Sequence, residues 1–306
     1  MQLDLFTDNR RNILINDATH LLRSLELEKA LAVYEEILAD DPSDTEVLVL
    51  RKEVEIWCER FDRWSSTGLG GLYEIHKHIF DRVSNGLRAG LLAFLAESLQ
   101  ALDKPQLIYI PPRFHLGCVL HEAERYTDAA NWYAVAVQSG IAEKGRFLAW
   151  QGDSLTLCGR NTDAMECYLA AFLEDPDTVD LDGIANPLIC DLILTLISEC
   201  CNEEINEQEA VPWLPCWGFI QGEFSLSTKD IAVDPEAFSA LLRHSDASGN
   251  VPQPRLWYEY LRYAEFLRTS VRDDRELLLV RQRMRTMHAK MFDRYIGSVG
   301  NRKRGT

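Results

Sequence analysis

The densest group of side chains that could bind a metal lies between positions 115 and 122. It contains two histidines, one cysteine and one glutamate: His115, Cys118, His121 and Glu122. At helical spacing these side chains share one broad face, where they could approach a single ion. A structural zinc site needs four well-placed ligands, however, and Cys118 and His121 occupy positions that helix packing also requires. We therefore predict a packed histidine and a buried thiol, with no metal and no cofactor.

A second motif, Gly152-Asp153-Ser154-Leu155, has the letters of the GDSL family of serine hydrolases. In that family the serine lies near the start of an α/β domain, and an Asp-x-x-His near the domain's end supplies the base. No Asp-x-x-His follows Ser154 here; the one in this chain, Asp17 to His20, lies far upstream. A serine without a base is an ordinary serine. We interpret the motif as a segment of a helix.

Other catalytic patterns are missing from the sequence. It contains no Gly-Lys-Ser/Thr of a phosphate-binding loop, no His-Glu-x-x-His and no Gly-x-Ser-x-Gly. His76 and His78 lie two residues apart, so a helix would point them to different sides. The sequence does not exclude an enzyme, but it favours a protein without catalytic activity.

The strongest pattern is a repeat with an offset of 35 residues. Four positions of one copy match four of the next: Gly117, Ala129, Tyr133 and Ala136 with Gly152, Ala164, Tyr168 and Ala171. A weaker third copy has Ala18, Ala30 and Tyr34 at the first three of these positions. Small residues let two antiparallel helices approach closely, and the tyrosine fills the wedge where they diverge. The pattern predicts helix pairs.

The chain here resembles the tetratricopeptide-repeat family, whose unit of about 34 residues is such a helix pair. The resemblance covers residues 113–176 well and 13–44 weakly, and the aromatic residue usual early in the first helix is missing. It implies an all-α helical-repeat array whose first helices line a concave groove for a protein or peptide partner. The candidate groove residues, each equally compatible with a solvated position, are His20, Arg23, Arg113 and Gln151.

Composition and charge restrict the kinds of partner. The net charge of −16 argues against direct nucleic-acid binding, although residues 268–306 hold 11 Lys/Arg against 4 Asp/Glu. That basic stretch is a solvated helix face or a strip for an acidic partner. No apolar run reaches the roughly 18 residues of a membrane span, and the start of the chain does not resemble a secretory signal. The eight cysteines form no CxxC pair, so we expect reduced thiols in a cytoplasmic protein.

The N-terminus carries a different kind of signal. The segment Gln2-Leu3-Asp4-Leu5-Phe6 resembles, at all five positions, the pentapeptide by which many bacterial proteins dock on the DNA polymerase sliding clamp. The resemblance implies that Leu5 and Phe6 enter an apolar pocket, that Gln2 hydrogen-bonds at its rim and that Leu3 adds contact. It presumes a bacterial source. The alternative is an apolar tail folded back as a cap on the first helix.

These signals divide the chain into a flexible tail (1–12), a helical-repeat array (13–201), an irregular insert (202–256) and C-terminal helices with a basic tail (257–306). We predict a non-enzymatic protein-interaction scaffold of undefined oligomeric state. The alternative is an enzyme or small-ligand binder with a pocket under residues 211–224, where Trp213 and Trp217 would form a wall. The last predicted helix, 273–297, carries an apolar stripe formed by Val280, Met284, Met287, Met291 and Tyr295. We interpret this stripe as part of the core; the alternative is a dimer contact.

Overall fold

A computed structural model describes residues 2–81, 83–200, 207–226, 253–270 and 274–302. Within these ranges the chain forms α-helices joined by turns and short 3-10 segments, and it forms no β-strand beyond one isolated bridge between Ile110 and Phe114. Helices pack mainly against their neighbours in sequence, so the fold is the predicted all-α helical-repeat array. No helix in the same ranges has both the length and the apolar character that crossing a bilayer requires.

The chain divides into two compact units, Met1–Ser139 and Gly140–Thr306. The division expected from composition, at residues 12, 201 and 256, follows changes in residue type, whereas the boundary at 139 follows backbone contacts. It separates the two copies that the sequence aligns best, so each unit carries one of them. Residues 227–252 of the predicted insert and 303–306 of the basic tail lie outside the described residues.

Unit 1 consists of seven described helices: α1 (Gln2–Arg23), α2 (Leu27–Asp40), α3 (Thr45–Trp64), α4 (Gly68–His78), α5 (Asn85–Gln100), α6 (Leu116–Glu122) and α7 (Tyr126–Gln138). Helices α1 and α2 form one pair and α6 and α7 another, while α5 contacts both α1 and α6. Close packing of α5 on α1 requires a glycine, because a Cβ on Gly90 would lie 2.4 Å from the carbonyl oxygen of Leu22. Helix α5 therefore joins the two pairs.

Two boundaries in unit 1 differ from the sequence-based expectation. Helical spacing is recognisable only from about Ile13, yet α1 begins at Gln2; the side chains of Gln2, Leu3, Leu5 and Phe6 lie outside the described part of the structure. The glycine-rich segment 68–71 predicts a break in the helical array, yet Gly68, Gly70 and Gly71 form the first turn of α4. Gly71 is required there, since a Cβ would meet the carbonyl oxygen of Trp64 at 1.9 Å.

Unit 2 contains the remaining described helices: α8 (Lys144–Leu157), α9 (Asn161–Glu174), α10 (Pro187–Cys200), α11 (Glu207–Ala210), α12 (Leu214–Gln221), α13 (Gln253–Ser270), α14 (Asp274–Met287) and α15 (Ala289–Arg302). Two fully buried tryptophans connect these helices. The indole Nε1 of Trp217 donates to Thr195 Oγ1 at 2.9 Å, and that of Trp257 donates to the Met284 carbonyl oxygen at 3.0 Å. Buried indoles whose N–H groups have partners are typical core residues.

The turns between paired helices confirm the three-copy alignment. Each turn has one residue in the left-handed conformation, with φ of 54°, 60° and 76° at Leu25, Glu124 and Gly159. The next amide of each turn donates at 2.9 Å to a carbonyl five residues earlier: Glu26 to Leu21, Arg125 to Leu120 and Arg160 to Leu155. This is the glycine-type helix C-cap. Of the three copies, the one that contains Gly152 and Tyr168 has at this position, Gly159, the residue that adopts this conformation without steric cost.

The predicted close approach of the paired helices occurs with the tyrosine ring of the second helix against the glycine of the first. A Cβ on Gly117 would lie 2.5 Å from the ring of Tyr133, and one on Gly152 would lie 2.9 Å from the ring of Tyr168. Both tyrosines are fully buried. The glycines are thus needed because the tyrosine ring lies directly on the backbone of the first helix.

The predicted last helix is in fact two helices that meet at His288. The ring Nδ1 of His288 accepts the Met291 amide at 3.1 Å, which caps the start of α15. The apolar stripe continues across the break, and Met284, Met291 and Tyr295 are fully buried within unit 2. Val280 is also buried and Met287 is half-buried, so most of the stripe contributes to the core of unit 2, as interpreted from the sequence.

Candidate functional site

A cavity of about 500 Å³ opens in unit 1 beside α4, the connector before α6, and the C-terminal end of α6. We call it the α4–α6 cavity. Its aromatic and apolar lining comes from Tyr73, Phe80, Pro112 and Phe114, and its titratable lining from His76, Lys77, Arg113, His121 and Glu122. This volume lies within the range of sites that bind small ligands or the side chains of a partner.

Local structure explains how these side chains come together. On α4, Tyr73, His76 and Lys77 lie three and four residues apart and therefore share one face, and Phe80 continues that face just past the helix end. In the connector, Pro111 and Pro112 cannot continue a helix. A pair of backbone hydrogen bonds between Ile110 and Phe114, at 2.9 and 3.0 Å, closes a tight loop there. The loop places Pro112 and Arg113 at the cavity wall.

A hydrogen-bonded pair forms one side of the cavity. The Nε2 atom of His76 lies 2.8 Å from Oε2 of Glu122, and the two side chains are only 8% and 14% exposed. The His76 ring also contacts the rings of Phe80 and Phe114, with centroids 5.7 and 5.1 Å away. Because the carboxylate is engaged with His76, the negative charge of Glu122 already has a partner within the protein.

The remaining titratable groups make the cavity locally cationic. Burial lowers the pKa of His121, and the positive charge of Arg113 lowers it further, while Glu122 acts in the opposite direction. His121 is therefore neutral at pH 7. Lys77 and Arg113 carry positive charge, and Glu122 carries the one negative charge among the described residues of the lining. This balance is opposite in sign to the net charge of the chain, −16.

The buried thiol is confirmed at Cys118, whereas His121, the histidine predicted to be packed, is half-buried, contacts the Tyr126 ring and lines the α4–α6 cavity. His115 is fully buried; its Nδ1 accepts the Gly117 amide at 2.9 Å, and its Nε2 donates to the Gln106 carbonyl oxygen at 3.3 Å. Burial lowers the pKa of His115 to about 4 and raises that of Cys118 to about 12. Neither group faces the α4–α6 cavity, and among the described residues no three potential ligands are placed to hold a metal.

The Gly152–Leu155 motif lies inside α8, as interpreted from the sequence. Ser154 is fully buried. Asp153 is a structural acceptor, since its Oδ1 receives the Tyr168 hydroxyl at 2.6 Å and the Ala185 amide at 2.7 Å. These contacts give Asp153 a role in packing α8 against α9.

The four groove candidates are divided between the units, with His20, Arg23 and Arg113 in unit 1 and Gln151 in unit 2. His20 and Arg23 are exposed on the last turn of α1, and Gln151 is half-buried on α8 of unit 2. Arg113 lines the α4–α6 cavity. Of the four residues singled out from the sequence, Arg113 is thus the one that the structure places in a concave site.

Of the two insert candidates, Trp217 is a core residue and Trp213 is half-buried. Trp217 is fully buried, and Trp213 packs edge-on against Trp257 and His288, with centroids 6.4 and 4.6 Å away. Smaller clefts, of about 380 and 220 Å³, touch the two ends of this segment at Val211 and Phe224, and neither tryptophan lines them. Trp213 and Trp217 therefore contribute to the packing of unit 2.

Sequence reasoning missed the pairing of His76 with Glu122. The face of Tyr73, His76 and Phe80 can be read from helical spacing, but no local pattern connects it to a residue 46 positions later. No protein-family model, curated protein or solved structure matches this chain. By its fold and its candidate site, the protein is an all-α helical-repeat array with a cationic, aromatic cavity in its first unit.

Proposed function

We propose that this chain is a non-enzymatic interaction protein that binds a segment of a protein or peptide partner in the α4–α6 cavity. The observation that carries the proposal is the combination of ring surfaces and charged groups around one concave site. Aromatic anchors and a few polar groups are what peptide recognition uses. The resemblance to tetratricopeptide repeats supports the same class of function, since such arrays present extended binding surfaces.

Catalysis is the less favoured use of this site. His76 and Glu122 have the arrangement of a base and the carboxylate that orients it. However, the described residues that line the cavity include no serine, threonine or cysteine to serve as a nucleophile. A binding role requires no further group.

Selection of phage-displayed peptides on the immobilised full chain tests the proposal. We expect enrichment of a related set of sequences whose binding is lost in Phe80→Ala, because the Phe80 ring is 54% exposed and lines the cavity. The matched control is Leu157→Ala, which removes a similarly exposed apolar side chain (46%) from α8. No enrichment, or equal binding to Phe80→Ala, contradicts the proposal.

A second, separable binding function is proposed for the N-terminus. The match of Gln2–Phe6 to the bacterial clamp-docking pentapeptide favours it. The test is a pull-down on an immobilised bacterial sliding clamp with the native chain and Gln2→Ala/Phe6→Ala, and with Asn9→Ala as control. We expect retention of the native and control chains only. Equal retention of all three contradicts clamp docking.

A further inference from the structure

We infer that the segment bound in the α4–α6 cavity is an acidic–aromatic one, with an aspartate or glutamate beside an aromatic residue. The inference rests on the proposed function and specifies its partner. It excludes a basic or purely apolar segment as the preferred occupant.

The charged groups that line the α4–α6 cavity favour an acidic ligand side chain. Lys77 and Arg113 line the cavity, and His121 is neutral at pH 7. The Glu122 carboxylate is hydrogen-bonded to His76 at 2.8 Å. A ligand carboxylate in the cavity therefore has two cationic neighbours, Lys77 and Arg113, and one anionic neighbour, Glu122. A ligand ammonium group would meet the two cations instead.

The overall charge of the chain does not reverse this preference. Its net charge is −16, which on its own would repel an acidic ligand. Exposed charges more than about 8–10 Å away are largely screened at physiological ionic strength. The groups that line the cavity therefore determine which charge it prefers.

The exposed ring surface at the cavity favours an aromatic ligand side chain. Phe80 is 54% exposed and lines the cavity, and its ring lies nearly perpendicular to that of His76. Tyr73 is half-buried and packs edge-to-face on the buried Phe114, with centroids 5.4 Å apart. Aromatic rings prefer edge-to-face or offset-stacked partners. An aromatic ligand side chain would cover the ring surface of Phe80 that the protein itself leaves in water.

The two requirements apply within one site, since Lys77 lies between Tyr73 and Phe80 on the same face of α4. Side chains two residues apart in an extended peptide point to the same side, and adjacent ones can do so in a flexible Gly/Ser backbone, so either pair can place one side chain near Lys77 and Arg113 and the other on Phe80. A peptide with the acidic and aromatic residues adjacent or two apart fits this arrangement.

The test uses four fluorescein-labelled ten-residue peptides of Gly and Ser with a central pair, Glu-Phe, Gln-Phe, Lys-Phe or Glu-Ala. The end of each peptide that carries no label is blocked, so that side chains supply the charge differences. Fluorescence anisotropy with the full native chain gives the four dissociation constants. We expect Glu-Phe to bind at least about tenfold more tightly than Gln-Phe or Glu-Ala, and Lys-Phe to bind most weakly.

Variants separate charge recognition from general damage. Lys77→Gln should weaken Glu-Phe severalfold and leave Gln-Phe unchanged, and Lys77→Gln/Arg113→Gln should make the two peptides equal. Lys52→Gln, which removes an exposed lysine from α3, should change neither. Equal native affinity for Glu-Phe and Gln-Phe, or a preference for Lys-Phe, overturns the inference. Phage selection that yields peptides without an acidic–aromatic pair also overturns it but leaves the proposed function intact, whereas selection of no peptide overturns both.

Discussion

The helix pairs α6/α7 and α8/α9 have the same turn and the same glycine–tyrosine contact, but their first helices differ in length. Helix α8 extends over 14 residues and α6 over 7. Lys144–Trp150, the first half of α8, correspond by the 35-residue offset to residues 109–115, where Pro111 and Pro112 prevent helix formation. In unit 1 this stretch is a connector, and its loop forms a wall of the α4–α6 cavity. The candidate site lies where one copy departs from the repeat.

The two pairs also differ in the polar partner of their buried tyrosine. The residue after each glycine is Cys118 in one copy and Asp153 in the other. Tyr133 interacts with the Cys118 thiol, whereas Tyr168 donates to the Asp153 carboxylate at 2.6 Å. The residues that determine how closely the helices pack, the glycine and the tyrosine, are therefore the same in both copies. The residue after the glycine differs, and it is a neutral thiol in one copy and a carboxylate in the other.

The largest expected difference between the copies is a dependence of stability on pH that comes from His115, whose counterpart in α8 is Trp150. The pKa of His115 is about 4 in the folded protein against an ordinary value of 6.5. Between these values the unfolded chain binds a proton that the folded chain does not, so stability is complete above pH 6.5 and is lost as the pH falls through 4. The loss is up to about 3 kcal/mol.

Chemical unfolding of the native chain and of His115→Asn between pH 7 and pH 4 measures this loss. Asparagine can still accept the Gly117 amide, so the difference in pH dependence between the two proteins isolates the titration of the imidazole. Parallel stability curves for the two proteins contradict a buried, neutral His115.

Replacing each glycine with alanine compares how tightly the helices pack in the α6/α7 and α8/α9 pairs. The Cβ would lie 2.5 Å from the Tyr133 ring in Gly117→Ala and 2.9 Å from the Tyr168 ring in Gly152→Ala. Overpacking of this kind costs roughly 1–3 kcal/mol, offset by up to about 1 kcal/mol of helix propensity. We expect a net loss of about 2 kcal/mol for Gly117→Ala and about 1 kcal/mol or less for Gly152→Ala in urea unfolding. The reverse order contradicts tighter packing in the α6/α7 pair.

Removing each tyrosine hydroxyl tests the difference in polar partners. Tyr168→Phe removes one donor from the buried Asp153 and leaves it the Ala185 amide, so the change should cost about 2 kcal/mol because the acceptor is charged. Tyr133→Phe loses an interaction with a neutral thiol and should cost less than about 1 kcal/mol. Thermal unfolding of both variants at pH 7 gives the comparison, and equal losses argue against a charged Asp153.

The shared part of the two pairs was predictable because its signal is local. Gly117 and Tyr133, like Gly152 and Tyr168, lie 16 residues apart in one helix pair, and the proline pair indicates the missing helical turns directly. The break at His288 was not predictable in the same way, since histidine does not itself end a helix. It depends on the imidazole capping the next helix.

The α4–α6 cavity was not predictable as a site. Arg113 was selected as a surface residue of the first helix, and His121 was assigned to packing. Their placement beside Phe80 and His76 depends on contacts between segments far apart in sequence, such as the bond from His76 to Glu122. Helical periodicity gives the face on which a residue lies, but it does not give the helix that this face meets.

Hydrogen–deuterium exchange with a peptide selected on the full chain tests most directly whether binding occurs where unit 1 departs from the repeat. Amide exchange is compared in the free chain and in the complex, at peptide concentrations that saturate the protein. We predict slower exchange over residues 73–80 and 112–122 and no change over 147–157, the corresponding part of α8. Protection over 147–157 or 211–224, with 73–80 and 112–122 unchanged, would contradict the assignment of the binding site.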